Sequence, residues 1–343
     1  MDKNYQVVFT AQNKVELSEV PMPEPSDEEV LVKTIVTQIS TGTELTRLMG
    51  NVDADSSWTN EMKYPTYPGY SNVGKVVGVG KNVDPSMIGK IVYSGCPHAK
   101  YGKRMASDLV PGWSYVTPVP DGVDYDEAVF AAVAGITLGS ARVSQIKLGE
   151  TAVVFGAGLI GQFVARFAKL AGALNVIVAD VSDFRLSLLP DDCCFISVNS
   201  SKTDVAEFIK EHNNGNLADV VFETTGYHPL IQSEIECLVK NGRIIITSSP
   251  KGRSTVDFDY CNRKGITIIG AHNSAVHPKI ATTLNPWTAH RDKEYYLQLL
   301  QRKQLSVKNM ITHKANYKDA AKMYEMLMED RTKALAVNLY WED

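Results

Sequence analysis

Gly156-Ala-Gly158-Leu159-Ile160-Gly161 follows the apolar run Ala152-Val-Val-Phe155 and opens a helical stretch, Leu159–Ala171. Three glycines at this spacing, between a strand and a helix, form a dinucleotide-binding turn. Gly156 permits the tight turn, Gly158 leaves bare backbone for a pyrophosphate, and Gly161 lets the helix pack close to the strand. The helix start presents oriented N–H groups and positive potential to phosphate. Leu159 and Ile160 lie in that first turn and join the glycines as candidate cofactor contacts.

Asp180 ends the next strand, 19 residues beyond Gly161. A carboxylate there accepts hydrogen bonds from ribose hydroxyls and repels a 2′-phosphate, so NAD is expected over NADP. Arg185, five residues on, is a candidate contact to the adenine ribose or a phosphate. Phe222-Glu-Thr-Thr225-Gly226 and Ile246-Thr-Ser248-Ser249 end later strands, where ligands sit in open α/β sheets, and Ala271 follows the last one. Thr225, Ser248 and Ala271 are therefore assigned to the cofactor site.

Outward from this turn the pattern repeats strand and helix. Thr151–Phe155, Asn175–Asp180, Cys194–Val198, Asp219–Glu223, Arg243–Thr247 and Thr267–Gly270 read as strands. Leu159–Ala171, Ser182–Leu188, Thr203–His212 and Pro229–Val239 read as the helices between the earlier ones. This alternation predicts an α/β doubly wound parallel sheet, a Rossmann fold. The N-terminal part differs. Tyr5–Thr10, Val30–Val36, Gly74–Val79 and Lys90–Tyr93 are short β-branched runs punctuated by Gly, Pro and Asp, as in a partly closed β-barrel. Asp124–Gln145 reads as one hinge helix with acids in its first turn. Lys293–Arg302 and Tyr317–Glu329 are amphipathic helices, and Ala334–Tyr340 is a closing strand.

The chain has 343 residues, 44% hydrophobic and 22% charged, with a net charge of −4. That length fits two domains. The charge balance argues against nucleic acid as a partner. No apolar run is long enough to span a membrane, and the first residues lack the apolar segment of a signal peptide, so a cytoplasmic protein with no membrane partner is expected. Five cysteines stand at irregular spacing without a Cys-x-x-Cys pair, which supports neither a structural zinc cluster nor a redox motif. Cys193 and Cys194 read as small core residues at the start of a strand.

Thr41-Gly-Thr43-Glu44 and Pro68-Gly-Tyr70-Ser71-Asn72-Val-Gly74 are similar to two segments of the medium-chain dehydrogenase/reductase superfamily, the alcohol dehydrogenases. There the patterns run Cys-Gly-Thr-Asp and Pro-Gly-His-Glu-x-x-Gly. The resemblance extends essentially end to end. It implies a GroES-like β-barrel catalytic domain from residues 1–124 and 276–343, and a Rossmann NAD-binding domain over residues 125–275. It also implies a homodimer or homotetramer. Zinc-dependent members hold metal with the Cys, His and Glu of those segments. Here Thr41, Tyr70 and Ser71 stand at those positions, and Ala132–Thr137 supplies no third ligand. Hydroxyls are poor zinc ligands. No catalytic zinc is expected, and the chain resembles a zinc-less subgroup that includes bacteriochlorophyllide dehydrogenases.

Without metal, hydrogen-bond donors must polarise the substrate oxygen and a side chain must move the proton. Thr43 corresponds to the family's proton-relay position. Tyr70 is a candidate donor to the substrate oxygen, Glu44 a candidate acid or base, and His98 a titrating group in the useful range. Thr41, Asn72 and Asn273 are candidate substrate contacts. The function expected is an NAD-dependent oxidoreductase interconverting a secondary alcohol and a ketone on a small molecule such as a sugar, polyol or natural-product intermediate. The alternatives are a zinc-free NADPH quinone or enoyl reductase and a non-catalytic NAD-binding protein.

Overall fold

Ala152 and Val154 point to one face of their strand and Val153 and Phe155 to the other, and all four are buried. A strand covered on both faces must sit inside a parallel sheet with helices above and below. The computed structural model describes residues 2–107 and 115–342. Its strands are β1 Asn4–Ala11, β2 Lys14–Val20, β3 Glu29–Ile39, β4 Asn72–Val79, β5 Ile91–Ser94, β6 Tyr101–Met105 and β7 Thr117–Pro118, then β8 Thr151–Phe155, β9 Asn175–Asp180, β10 Phe195–Asn199, β11 Ala218–Glu223, β12 Leu238–Ile246 and β13 Thr267–Gly270, and last β14 Ile311–Asn316 and β15 Ala336–Tyr340. The helices are α1 Thr43–Met49, α2 Tyr125–Ala128, α3 Ala131–Ser144, α4 Leu159–Leu170, α5 Asp183–Leu186, α6 Val205–His212, α7 Ile231–Glu236, α8 Phe258–Lys264, α9 Asn273–Val276, α10 Ala289–Gln301 and α11 Ala320–Asp330.

Two compact units result. One comprises Met1–Asn51, Ser57–Gly135 and Pro278–Asp343; the other comprises Val52–Ser56 and Ile136–His277. The sequence-based boundary at 124/125 differs because α2 packs within the first unit. Tyr296 Oη donates to Glu127 O at 2.8 Å, and Val307 N donates to Glu127 Oε1 at 2.6 Å.

The second unit carries a six-stranded sheet in the order β10-β9-β8-β11-β12-β13, with every pair of neighbours parallel. This is the doubly wound Rossmann order: the chain crosses over after β10, so the strand order reverses between β8 and β11. Ala152, Val154, Val164, Ala165 and Ala168 fill one face. Val153, Ile177, Val221, Ile235 and Ile244 fill the other. Helix α6 starts where Asp204 accepts the Glu207 N–H at 3.0 Å, a side-chain cap of the usual kind.

The first unit holds a seven-stranded sheet, β14-β15-β3-β4-β5-β7 with β6 on β3, and the β1–β2 hairpin. These β elements form the GroES-like domain of an α/β protein. Val7, Phe9, Leu45, Leu48, Tyr324 and Trp341 form its larger apolar core. Valines 30, 32, 76 and 92 form a smaller one.

Several expectations change. The single hinge helix is two, α2 and α3, separated at the fully buried Val129 and Phe130. Helix α10 starts four residues early, because Thr288 Oγ1 caps it by accepting the Arg291 N–H at 3.2 Å. Cys193 is exposed and Cys194 only half-buried, so this pair is not core. Both lie in the turn before β10, where Cys194 N donates to Asp192 Oδ1 at 2.9 Å. Among the described residues no helix is long and apolar enough to cross a membrane.

Candidate active site

The glycine turn needs its glycines for different reasons. Gly156 has φ +102°, a backbone state that favours glycine. A Cβ on Gly161 would lie 1.7 Å from Gly156 O, so any side chain there would push α4 off the turn. Gly158 is the contrasting case. A Cβ there meets only Arg185 Nη1, at 4.0 Å. The protein itself leaves that space open, as a cradle for a phosphate group requires. Leu159 is buried and Ile160 half-buried at the start of α4.

Asp180 closes β9 half-buried. Its Oδ2 accepts Ala157 N at 2.6 Å and its Oδ1 accepts Ser182 N at 2.8 Å. The acid is thus held beside the glycine turn. Arg185 lies in α5 with its guanidinium toward Gly158, and its carbonyl accepts Gln162 Nε2 at 2.9 Å.

Thr225 and Ser248 turn inward on a residue the sequence reading passed over, Glu223. Its fully buried Oε1 accepts Thr225 N at 2.7 Å, Thr225 Oγ1 at 2.7 Å and Gly226 N at 2.8 Å. Its Oε2 accepts Ser248 Oγ. One carboxylate therefore ties together the ends of β11 and β12. Ala271 is fully buried, and its N–H donates to Ile246 O at 2.9 Å. Asn273 begins α9, where its carbonyl accepts the His277 N–H. Glu234 in α7 is fully buried with neither carboxylate oxygen hydrogen-bonded. Burial, and then the neighbouring Glu223 charge, push its pKa up to about 9.

In the first unit the hydroxyl residues gather. Tyr70 is half-buried, and its Oη donates to Ser40 Oγ at 2.6 Å. Thr43, the first residue of α1, also hydrogen-bonds the Tyr70 side chain. Burial raises the Tyr70 pKa; Ser40 lowers it and the Glu44 charge raises it again. The net effect keeps Tyr70 a proton donor at neutral pH. Tyr93 Oη donates to Tyr70 O at 2.9 Å, and its side chain meets Ser71. Thr41 is half-buried in the turn before α1.

Glu44 and His98 are both buried, with Oε2 and Nε2 3.1 Å apart. Tyr324 Oη donates to the same Glu44 oxygen. Burial, and then Glu44, hold the Tyr324 phenol well above its ordinary pKa, so it stays a donor. Glu44 Oε1 and His98 Nδ1 have no hydrogen-bond partner among the described residues. Asn72 lies elsewhere than expected. It is fully buried; its Nδ2 donates to Thr34 Oγ1 at 2.8 Å and its Oδ1 accepts Ser94 Oγ at 3.2 Å. Both ends of the amide are engaged inside the fold.

The Zinc-binding dehydrogenase family profile matches residues 160–287. Sorbitol dehydrogenase 1 of Saccharomyces cerevisiae is 26% identical over 294 residues, 77% of this chain and 78% of its own. L-threonine 3-dehydrogenase of Xanthomonas axonopodis pv. citri is 26% identical over 356 aligned positions, 96% of this chain and 97% of its own. The structure of 2R,3R-butanediol dehydrogenase from Bacillus subtilis superposes with a TM-score of 0.80 at 20% identity, covering 98% of this chain and 99% of that one.

These matches support the medium-chain dehydrogenase/reductase superfamily.

Similarity to this alcohol dehydrogenase superfamily raises the question of zinc. The donor set does not fit it. Thr41, Tyr70 and Ser71 offer only hydroxyls, and the Tyr70 hydroxyl already donates to Ser40. Among the described residues no three His, Cys, Asp or Glu side chains stand together as a metal would require. The dinucleotide, by contrast, fits the superfamily's nucleotide half: the open cradle at Gly158, the acid at Asp180 and the α4 start are all in place.

Proposed function

We propose that this chain is an NAD-dependent dehydrogenase that acts on a CH–OH group, interconverting a secondary alcohol of polyol or sugar type and a ketone without catalytic zinc. The observation that carries the reading is the hydroxyl cluster of Tyr70, Ser40 and Thr43, in which Tyr70 stands at a position where metal-holding relatives carry a ligand. The similarity to sorbitol and threonine dehydrogenases supports the reaction class and a small-molecule substrate.

Gly156 to Gly161, Asp180 and Arg185 would hold NAD, which supplies the hydride acceptor. Asp180 supports NAD over NADP through the ribose hydroxyls. The protein's own work is to bind and polarise the substrate oxygen and to move one proton. Tyr70, kept protonated by burial, donates to the ketone oxygen in the reductive direction. Thr43, beside Tyr70, then returns a proton to the phenol, and the relay runs the other way in oxidation, since a hydroxyl both donates and accepts.

A screen of hydroxy compounds that follows NADH absorbance, run on protein dialysed against a strong chelator, tests this. Turnover undiminished by the chelator is expected. Loss of turnover restored by added zinc overturns the metal-free mechanism. A clear preference for NADPH would favour a quinone or enoyl reductase instead.

A further inference from the structure

Lys293 lies in the first half of α10, only partly exposed. Its Cγ packs 3.5 Å from where a Cβ on Gly135 would stand. Gly135 belongs to the 132–137 segment in which metal-holding relatives place a third ligand. Its Nζ sits 5.8 Å from the centroid of the Tyr93 ring. Tyr93 in turn contacts Tyr70 O and the Ser71 side chain, the residues at two other ligand positions. The lysine thus lies between Gly135 and the Tyr93 ring, whose hydroxyl reaches Tyr70 O, all within one compact unit.

A lysine so placed ordinarily finds a carboxylate. Lys293 has none: among the described residues no ion pair or hydrogen bond reaches its Nζ, and the Tyr93 ring is its one cation contact. On its own helix Glu294 is taken by His290, at 3.3 Å. Burial lowers the Lys293 pKa, and the pKa of His290 is pulled to about 4 by burial and then by the Lys293 charge. The nearby histidine is therefore neutral at neutral pH and brings no charge beside Lys293.

Building on the metal-free dehydrogenase reading, we infer that Lys293 is a catalytic residue whose ammonium donates a hydrogen bond to the substrate oxygen, replacing the charge a metal would bring. The oxygen is negative as the alkoxide from which hydride leaves, and in the reductive direction it becomes negative as hydride reaches the carbonyl carbon; a preorganised donor counts most there. Lys293 forms no covalent bond and keeps its proton; the hydroxyl proton leaves through Tyr70 and Thr43. An oxygen-bearing small molecule fits such a site, with the Tyr93 ring holding the lysine stem in place.

The test compares wild type with Lys293→Met and Lys293→Arg, each chelator-dialysed, on sorbitol, xylitol and threonine with NAD. Lys293→Met is expected to lower kcat/KM about 100-fold or more while NADH affinity stays within about twofold. Lys293→Arg, which keeps the charge, is expected to recover about a tenth of the wild-type value. Equal kcat/KM in wild type and Lys293→Met overturns the assignment. Pulse acetylation with acetic anhydride, read by mass spectrometry on the NADH complex, needs no substrate. Lys293 is expected to titrate below the exposed Lys14 and Lys63; a Lys293 that never reacts, or that titrates with them, also overturns it. A wild type that binds NADH but oxidises none of the three compounds defeats the dehydrogenase reading instead, and acetylation then decides the status of Lys293 alone.

Discussion

Asp180 Oδ2 accepts the backbone N–H of Ala157 at 2.6 Å, so the acid that ends β9 also braces the glycine turn after β8. Asp180→Ala is expected to weaken NAD binding by about tenfold, which corresponds to roughly 1.4 kcal/mol, and to narrow discrimination against NADP. Fluorescence titrations of both cofactors check this. Unchanged affinities would contradict the assignment of Asp180 to the ribose.

Glu234 gives a pH dependence of definite sign. Its folded pKa, about 9, lies above the ordinary glutamate value of 4.5. The folded state therefore holds a proton that the unfolded state gives up between these limits, and stability falls as pH rises through this window. Glu234→Met removes the penalty. The Tm gain of this variant is expected to be small near pH 5, to grow by the equivalent of about 1 kcal/mol per pH unit, and to level off above pH 9. A gain independent of pH would show that Glu234 ionises normally in the fold.

Tyr324→Phe removes the phenol donor from the buried Glu44 carboxylate. A hydrogen bond to a charged group contributes about 2 kcal/mol, so a loss of that size in chemical denaturation is expected. The pH–rate profile is expected to shift as well, because Glu44 influences the proton affinity of Tyr70. Destabilisation with an unmoved profile would leave the Tyr324–Glu44 contact purely structural.

The nucleotide unit was largely readable from the chain. Its strands are apolar on both faces and its glycine turn is local, so residues near each other in sequence carry the pattern. The catalytic unit was less so. Strand β2 alternates with exposed Lys14, Glu16 and Glu19; β6 contains Gly-Lys-Arg; β7 is two residues long; β14 reads Ile-Thr-His-Lys-Ala-Asn. None of these offers an apolar stripe longer than the Val15 and Leu17 pair of β2. The partners of the site were hidden for a different reason. Tyr324 meets Glu44 across 280 positions, and Lys293 reaches the Tyr93 ring from α10. Only the topology that returns the C-terminal segment to the N-terminal sheet brings them together. Glu223 had a local signal, a carboxylate followed by Thr-Thr-Gly, but its second partner, Ser248, belongs to the next strand.

That shared carboxylate makes two strand ends one inherited piece. A chimera that takes the Thr225 turn from one parent and the Ser248 turn from another would leave Glu223 with half its donors. Recombination between relatives should therefore tolerate crossovers before β11 or after Ser248 and reject those in between.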